Sequence, residues 1–523
     1  MIADNGHRRQ GYLSKEAAAD VGVLARGGSL QIIGQFTQGA IAFVFVAIAV
    51  RLLGTAQYGV YRQVAQILSI AAQIGLAGFN YAALRYIAKA RAIGDHGGVR
   101  GTARTAIGAT LVASGLVFSG LIIAAHRIAT RFATAPHAVN QLAALLRIGA
   151  AFVPLFALTQ VLRYCTQAYK TMRPSVIVGN IVQPGTRFVV GIALLVAGFA
   201  VTGMVVALVV SAAVAVIAGT FYYVTILSPE ERLAVPRASV GSMTRFALLQ
   251  GGASVLGVQT LGLSILILGV FSSNREVGLF AIGLALQTPG TIFLGGIINI
   301  WAPVVTDLYE RGEIARLESL YQAVTRWIIT FSFPVFAALI FTPQPLVRLF
   351  AGGAGAGAAG VVAVLAIGNA FYAGTGPTGF VISMTGKPGI NFINSAIAVA
   401  LYVGVGVWAA PRYGAIGVAW VDAAVTAVIN VARVAEARIL VGIHPFGRSL
   451  LKPVAATAVM AIILAGGRIV GGSQPLIQAG GLILGAVAYV LVLQRLGMSQ
   501  EEMYVWQRLR SRVAAVRRRG PRT

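Results

Sequence analysis

The residues equipped for chemistry are a few polar side chains stranded in apolar sequence. Arg62, Gln66, Ser69, Gln73 and Asn80 recur at spacings of 4, 3, 4 and 7, which keeps all five on one helical face. Gln31, Gln35 and Gln38 form a second stripe upstream, and Gln250, Ser254, Gln287 and Thr288 stand in comparable settings later in the chain. The remaining charges within apolar runs are Arg147, Arg187, Asp422 and Arg433, with Glu436 near a run's end. Charges in such surroundings are costly and usually face a cavity or one another. A guanidinium offers phosphate oxygens a planar fork of donors, and carboxamides match sugar hydroxyls, so a hydrated cleft lined by this set suits an anionic, polyhydroxylated ligand. The competing reading is structural. Gln and Ser hydrogen-bond across helices in any bundle, and Arg62 is close enough to a helix end to snorkel. Arg187 lies mid-run beside Pro184-Gly185, a predicted kink, and its alternative is an internal salt bridge. Three of the four arginines, Arg62, Arg147 and Arg187, belong to the first half, which places the anionic head there. Asp422 and Arg433 are about 16 Å apart by helical rise and cannot pair on a straight helix, so Arg433 is expected to meet Glu436 one turn on. Asp422 remains as a candidate for ion coupling. The lone cysteine, Cys165, and the absence of Cys/His metal spacing argue against disulfide, redox or metal chemistry, and no catalytic residue stands out.

The elements that carry these residues follow from composition. Of 523 residues 57% are hydrophobic and 11% charged, against about 25% charged in ordinary soluble domains, so a soluble globular protein is excluded. Lys and Arg outnumber Asp and Glu by 41 to 15, a net charge of +26, but the bases lie between apolar runs and not in solvated basic stretches, which argues against a nucleic-acid partner. The runs do not alternate apolar with polar as barrel strands do, so the fold class is all-α, a polytopic membrane protein. Windows of about 20 apolar residues give about fourteen spans.

The expected division is a cytoplasmic tail at 1–27, a first lobe of six helices at 28–227, a cytoplasmic linker at 228–245, a second lobe of six helices at 246–440, two further helices within 453–494 and a basic tail at 495–523. The first 27 residues are polar and acidic at Asp4, Glu16 and Asp20, so no cleavable signal is expected. With the amino terminus inside, the inner segments collect Arg85, Lys89, Arg91, Arg100 and Arg104 and similar groups, while the outer turns hold little beyond Arg51, Arg127, Arg131, Arg275, Arg348, Arg412 and Arg468. That asymmetry puts both termini in the cytoplasm. In the last segment Ser499 and Glu502 fit a capping box, and Trp506, Leu509, Val513 and Val516 recur at helical spacing among arginines. It reads as an amphipathic helix on anionic inner-leaflet lipids, or else as a solvated basic tail.

A weak repeat at an offset of about 219 residues organises the spans. Tyr58-Gly59-Val60-Tyr61 matches Val277-Gly278-Leu279-Phe280, Gln31 matches Gln250, and Gly149 matches Gly368. After a short deletion Thr171-Met172-Arg173-Pro174 and Asn180 match Thr385-Gly386-Lys387-Pro388 and Asn394. An even number of helices per copy makes the repeats parallel, related by an axis along the membrane normal. Two such lobes are expected to enclose a central cleft lined by helices 1, 2, 7 and 8, which carry the polar stripes.

Arg51-Leu52-Leu53-Gly54-Thr55-Ala56-Gln57-Tyr58-Gly59, with Leu84-Arg85-Tyr86-Ile87-Ala88 closing the next stretch, resembles the first hairpin of bacterial polysaccharide flippases. These are the Wzx-type, O-antigen-like members of the multidrug/oligosaccharidyl-lipid/polysaccharide exporter superfamily. The resemblance implies a bacterial inner-membrane flippase for a polyprenyl-(pyro)phosphate-linked oligosaccharide, moving it outward by alternating access without a cofactor, with polysaccharide biosynthesis enzymes as partners. It also implies that Gly54 and Gly59 serve the hairpin and close helix approach. A multidrug or toxin antiporter shares the fold but handles organic cations and needs a membrane-embedded carboxylate, and the first six spans have none. A membrane-embedded polymerase or glycosyltransferase needs a sizeable external loop with acidic residues, whereas the longest outer loop, Pro343 to Ala358, is rich in Gly and Ala and has no carboxylate.

Overall fold

A computed structural model describes residues 13–133, 135–237, 240–255, 262–472 and 474–497, so the amphipathic helix expected within 495–523 lies almost wholly outside the described residues. Every regular element among them is helical. By length and composition eleven helices among the described residues can cross a membrane, or twelve if the pair Ala358–Gly374 and Thr378–Met384, bent by 41°, forms one span. This is fewer than the expected fourteen for two local reasons. Pro388–Val441 runs 54 residues but is non-helical at Gly414 (φ 56°, ψ −142°), so two helices meet there. Near the expected seventh span, Val240–Val255 and Leu263–Phe271 flank residues that are not described.

In chain order, α1 is Leu13–Leu53, so a helix already begins within the expected tail. Gly54, at φ 77°, turns the chain into α2, Thr55–Leu76. Left-handed Ala77 and Gly78 (φ 48° and 77°) break this span before α3, Phe79–Ala92. Next come α4, His96–Phe132, then α5, Pro136–Gly149, and α6, Phe152–Gln167. The following span is α7, Arg173–Val176, a π-turn at Ile177–Val182 and α8, Gln183–Val196. The first half closes with α9, Ala200–Ile226, and the short α10, Pro229–Leu233. The second half holds α11, Val240–Val255, α12, Leu263–Phe271, α13, Asn274–Glu310, and α14, Ile314–Phe341. It continues with α15, Pro343–Ala351, α16, Ala358–Gly374, α17, Thr378–Met384, and α18, Pro388–Val441. The last two, α19, Leu451–Gly471, and α20, Pro475–Arg495, pack on each other and on α14, where the Tyr489 hydroxyl donates to the Thr330 carbonyl at 2.7 Å.

The predicted kink at Pro184 takes the form of the π-turn. Proline has no N–H to return to the carbonyl four residues back, here that of Asn180, and the helix widens over Ile177–Val182 instead.

The halves meet at several places among the described residues, two of them close glycine contacts at opposite ends. At the end that carries Gly54, α2 crosses α13 with backbone touching backbone. A Cβ on Gly59 would run into the Asn274 carbonyl, and one on Gly278 into that of Thr55. These are the two glycines that the repeat pairs, and only glycine admits so close a crossing. Gln63 donates to the Asn274 side chain at 2.8 Å beside them. The loop from Pro343 to Gly355 folds over this seam: Arg51 Nε donates to the Phe350 carbonyl at 3.1 Å and its other arm to Leu349, while the Thr55 hydroxyl donates to Ala354. At the opposite end Gly78 presses on the Ala247 carbonyl and on Gly251 of α11. Nearby, α10 is tied back to α3 and the end of α6 through the buried Glu231, which accepts from Tyr169 at 2.8 Å and the Ser228 amide at 2.9 Å and pairs with Arg91 at 3.4 Å.

Candidate functional site

The first half encloses a cavity of about 210 Å³ among α1, α2, α6, the π-turn, α8 and α9. Three residues of the Arg62 stripe line it, Arg62, Gln66 and Ser69, together with Gln38, Gln183 and Arg187. Helical period puts the first three on one face, and the wide turn ahead of Pro184 precedes the α8 segment that carries Gln183 and Arg187. The Arg187 guanidinium lies over the rings of Phe45 and Tyr61, 5.2 and 5.9 Å from their centroids, a cation–π support that leaves its charge unneutralised. Arg62 has a buried Nε with no hydrogen-bond partner. Between Leu30 and Ile226 the only acidic residue is Asp95, and it is spent on the α4 amino terminus, accepting from the Gly98 amide at 2.8 Å. Two guanidiniums therefore share a cavity in a lobe with no carboxylate to answer them. Such a site stabilises an anion.

Gln73 and Asn80, the rest of the stripe, line an adjoining cavity of about 140 Å³ that shares Phe156 with the first. Arg163 escaped the sequence reading because it lies near a span's end. Its guanidinium rests on the bare backbone of Gly179, a wall of the larger cavity, and donates to the Ser175 carbonyl, the Ser175 hydroxyl and Gln160 Oε1 at 3.2 Å each. The small residues at 175 and 179 were the available signal.

Other candidates stand elsewhere. Gln35 approaches Gly295 of α13, and Gln31 is half-buried on α1 outside the cavity lining. Arg147 is exposed on α5, since its face of that helix turns away from the buried side formed by Leu142, Leu145 and Leu146. Gln250 is exposed on α11. Gln287, 3% exposed, donates to the Val362 carbonyl at 3.1 Å and braces α13 against α16. Among the described residues the cavity lining comes from the first half, with Gln66 abutting Gly262 of the second, and the expected lining from helices 7 and 8 is not seen there. Polar stripes mark a helix face without saying which neighbour it meets, and the glycine crossing of α2 with α13 leaves no room for a cleft at that end. In the second half Asp422 is half-buried against the Tyr402 hydroxyl, which also meets Ser264 Oγ at 2.7 Å. Glu436 does not pair with Arg433 as expected. It accepts from Asn394 across the helix interface at 2.6 Å, and Arg433 Nε has no partner.

The described residues form a multi-pass helical bundle around a polar cavity, and solved structures share that fold. An inward closed conformation of the lipid II flippase MurJ matches with a TM-score of 0.70 at 11% identity, covering 88% of this chain and 97% of that one. An inward-facing MATE-family multidrug resistance transporter matches at 0.64 and 16% identity, covering 79% and 98%. A transporter of the same superfamily from Pyrococcus furiosus, described by the reverse polarity of its binding pocket, matches at 0.57 and 16% identity, covering 80% and 95%. No curated protein matches the chain. The family model for polysaccharide biosynthesis proteins matches residues 24–309, more than half of the 523, and the chain belongs to that family.

Proposed function

We propose that this protein flips a polyprenyl-(pyro)phosphate-linked oligosaccharide from the inner to the outer leaflet of the bacterial cytoplasmic membrane, for cell-surface polysaccharide biosynthesis. The observation that carries the reading is the pair Arg62 and Arg187 around one cavity without a carboxylate in the surrounding spans. They hold the carrier's phosphates, with Gln66, Gln38 and Gln183 beside them for polar groups of the head. Family membership and the likeness to a lipid II flippase support a lipid-linked glycan as cargo. The positive-inside asymmetry supports cytoplasmic termini, so the end carrying Gly54 is the outer end, and the glycine seam with the loop over it is an outer gate in its closed state.

Alternating access then amounts to rocking one lobe on the other about that seam. The repeat is supported by its paired glycines. Gly59 and Gly278 meet each other's helices, and Gly149 and Gly368 are both closely packed, Gly149 against Leu68 of α2 and then Val205 of α9, Gly368 against Ala423 of α18. Outward movement of an anion is favoured by an inside-negative potential, by about 2.3 kcal/mol per charge per 100 mV. Asp422 with Tyr402 is the candidate for ion coupling. The structural likeness to MATE transporters fits an antiporter of organic cations as well, but two unanswered guanidiniums repel such cargo. The basic tail binds anionic inner-leaflet lipid, and polysaccharide biosynthesis enzymes supply the cargo. The test is reconstitution in liposomes. Transbilayer movement of short-chain pyrophosphate-linked sugars without efflux of a cationic dye is the expected result, and the reverse pattern overturns the reading.

A further inference from the structure

We propose that the adjoining cavity, between the α2–α3 break and α6, is a sugar-binding subsite that takes the carrier-proximal ring of the glycan, an inference that rests on the flippase reading above. Its polar lining is Gln73, Asn80, Tyr81, Gln160 and Tyr164, with Leu76 and Phe156 as apolar wall. None of these carries a charge at neutral pH, in contrast to the arginine cavity next to it. A neutral lining of carboxamides and phenols has paired donors and acceptors at short reach, the complement of a polyhydroxylated ring, and little to offer a phosphate.

The cavity is unsatisfied in the way a binding site is. Asn80 is 3% exposed, and its carboxamide oxygen has no hydrogen-bond partner. Buried acceptors are nearly always partnered, so an orphan that lines a cavity calls for an occupant that donates, as a sugar hydroxyl does. The Asn80 amide also meets the Tyr164 hydroxyl, which is shared with Tyr81. The two phenol rings stand edge to face, 5.2 Å apart at 74°, beside Phe156, and present apolar faces of the kind that sugar C–H groups cover. Gln160 gives its oxygen to Arg163 at 3.2 Å and so keeps its amide nitrogen as a donor.

The backbone explains why the subsite lies here. Ala77 and Gly78 are left-handed, so the chain turns between the stripe's Gln73 and its Asn80, and Gly78 packed on Gly251 closes the floor. Phe156, common to both linings, marks where the anionic and neutral parts of one ligand join.

The experiment compares affinities of the purified full chain for a short-chain polyprenyl pyrophosphate that is bare, glucose-bearing or N-acetylglucosamine-bearing. Wild type is expected to bind at least one sugar-bearing carrier more tightly than the bare one. Asn80→Ala and Gln73→Ala should each weaken that carrier roughly 2- to 12-fold, the loss of about one neutral hydrogen bond, while bare-carrier affinity stays as in wild type. Gln73 is only half-buried, so its variant keeps the test open if Asn80→Ala does not fold. A wild type that prefers neither sugar, or variants that weaken bare and sugar-bearing carriers alike, would overturn the subsite. The anion reading is scored separately, by bare-carrier binding in wild type against Arg62→Gln. Either result can fail while the other stands.

Discussion

Replacing Arg62 and Arg187 separates binding from bracing, because the two arginines are held differently. Arg187 stacks on Phe45 and Tyr61, so Arg187→Gln forfeits cation–π support of about 0.5 to 2 kcal/mol and should lower the melting temperature. Arg62 Nε is buried and unpartnered, so Arg62→Gln removes an unmet donor and should leave stability level or slightly raised. For a bound pyrophosphate the two should behave alike. Each loses a charge-assisted contact of roughly 1.5 to 3 kcal/mol, which weakens affinity about 10- to 150-fold. Lysine keeps the charge and loses the bidentate fork, so Arg→Lys at either position should fall between wild type and glutamine. Melting temperature and affinity for bare polyprenyl pyrophosphate are measured on the same detergent-purified samples. Lowered melting points with unchanged affinity in both glutamine variants would refute the anion site and return both residues to the bundle's framework.

At the outer seam, Gly59→Ala or Gly278→Ala must push backbone away from backbone, and overpacking of about 1 to 3 kcal/mol should lower the melting temperature, whereas Gly108→Ala, with open space around it, should not. Arg51→Ala removes the latch to Leu349 and Phe350, so disulfide formation between Gln63→Cys and Asn274→Cys, adjacent in the closed gate, should drop, and an unchanged yield would deny the latch. Asp422→Asn should leave carrier binding intact and slow transport only when an ion gradient drives it. Equal rates with and without a gradient, in both proteins, would remove Asp422 from the mechanism. Glu231→Ala strands the donors on Tyr169 and Ser228 and the charge of Arg91, each at a cost of about 1 to 3 kcal/mol before solvent screening, and heightened proteolysis within 228–237 is the readout.

Hydropathy made the helical bundle legible because each crossing needs a long apolar run whatever it packs against. The stripe from Arg62 to Asn80 was legible for a related reason, since helical period is local. Its partners were not. Which helices face Arg62 depends on how α2 is rotated against α8 and α13, and that is set by glycine crossings at Gly59 and Gly278 whose depth a sequence does not display. The same gap misplaced Gln287, which the sequence offers as a cleft residue and the structure buries against the Val362 carbonyl, and Arg147, which turned out exposed. Pro184 announced a disturbance but not its form, a π-turn. The break at Ala77–Gly78 lacks proline altogether and left no mark in the hydrophobic pattern, although it shapes the smaller cavity. Glu436 was assigned to Arg433 by its one-turn spacing, and a nearer carboxamide on the neighbouring helix, Asn394, took it instead.

The cavity is proposed to grip the negative charge of a lipid carrier. The most direct test places two lipids in the same proteoliposomes, a sugar on a polyprenyl pyrophosphate and the same sugar joined to the polyprenol without phosphate, and follows the transbilayer movement of each. The pyrophosphate-linked sugar should cross, the neutral lipid should not, and the double variant Arg62→Gln, Arg187→Gln should abolish the difference by halting the first. Equal movement of both lipids through the wild type, or undiminished movement through the double variant, would contradict that proposal.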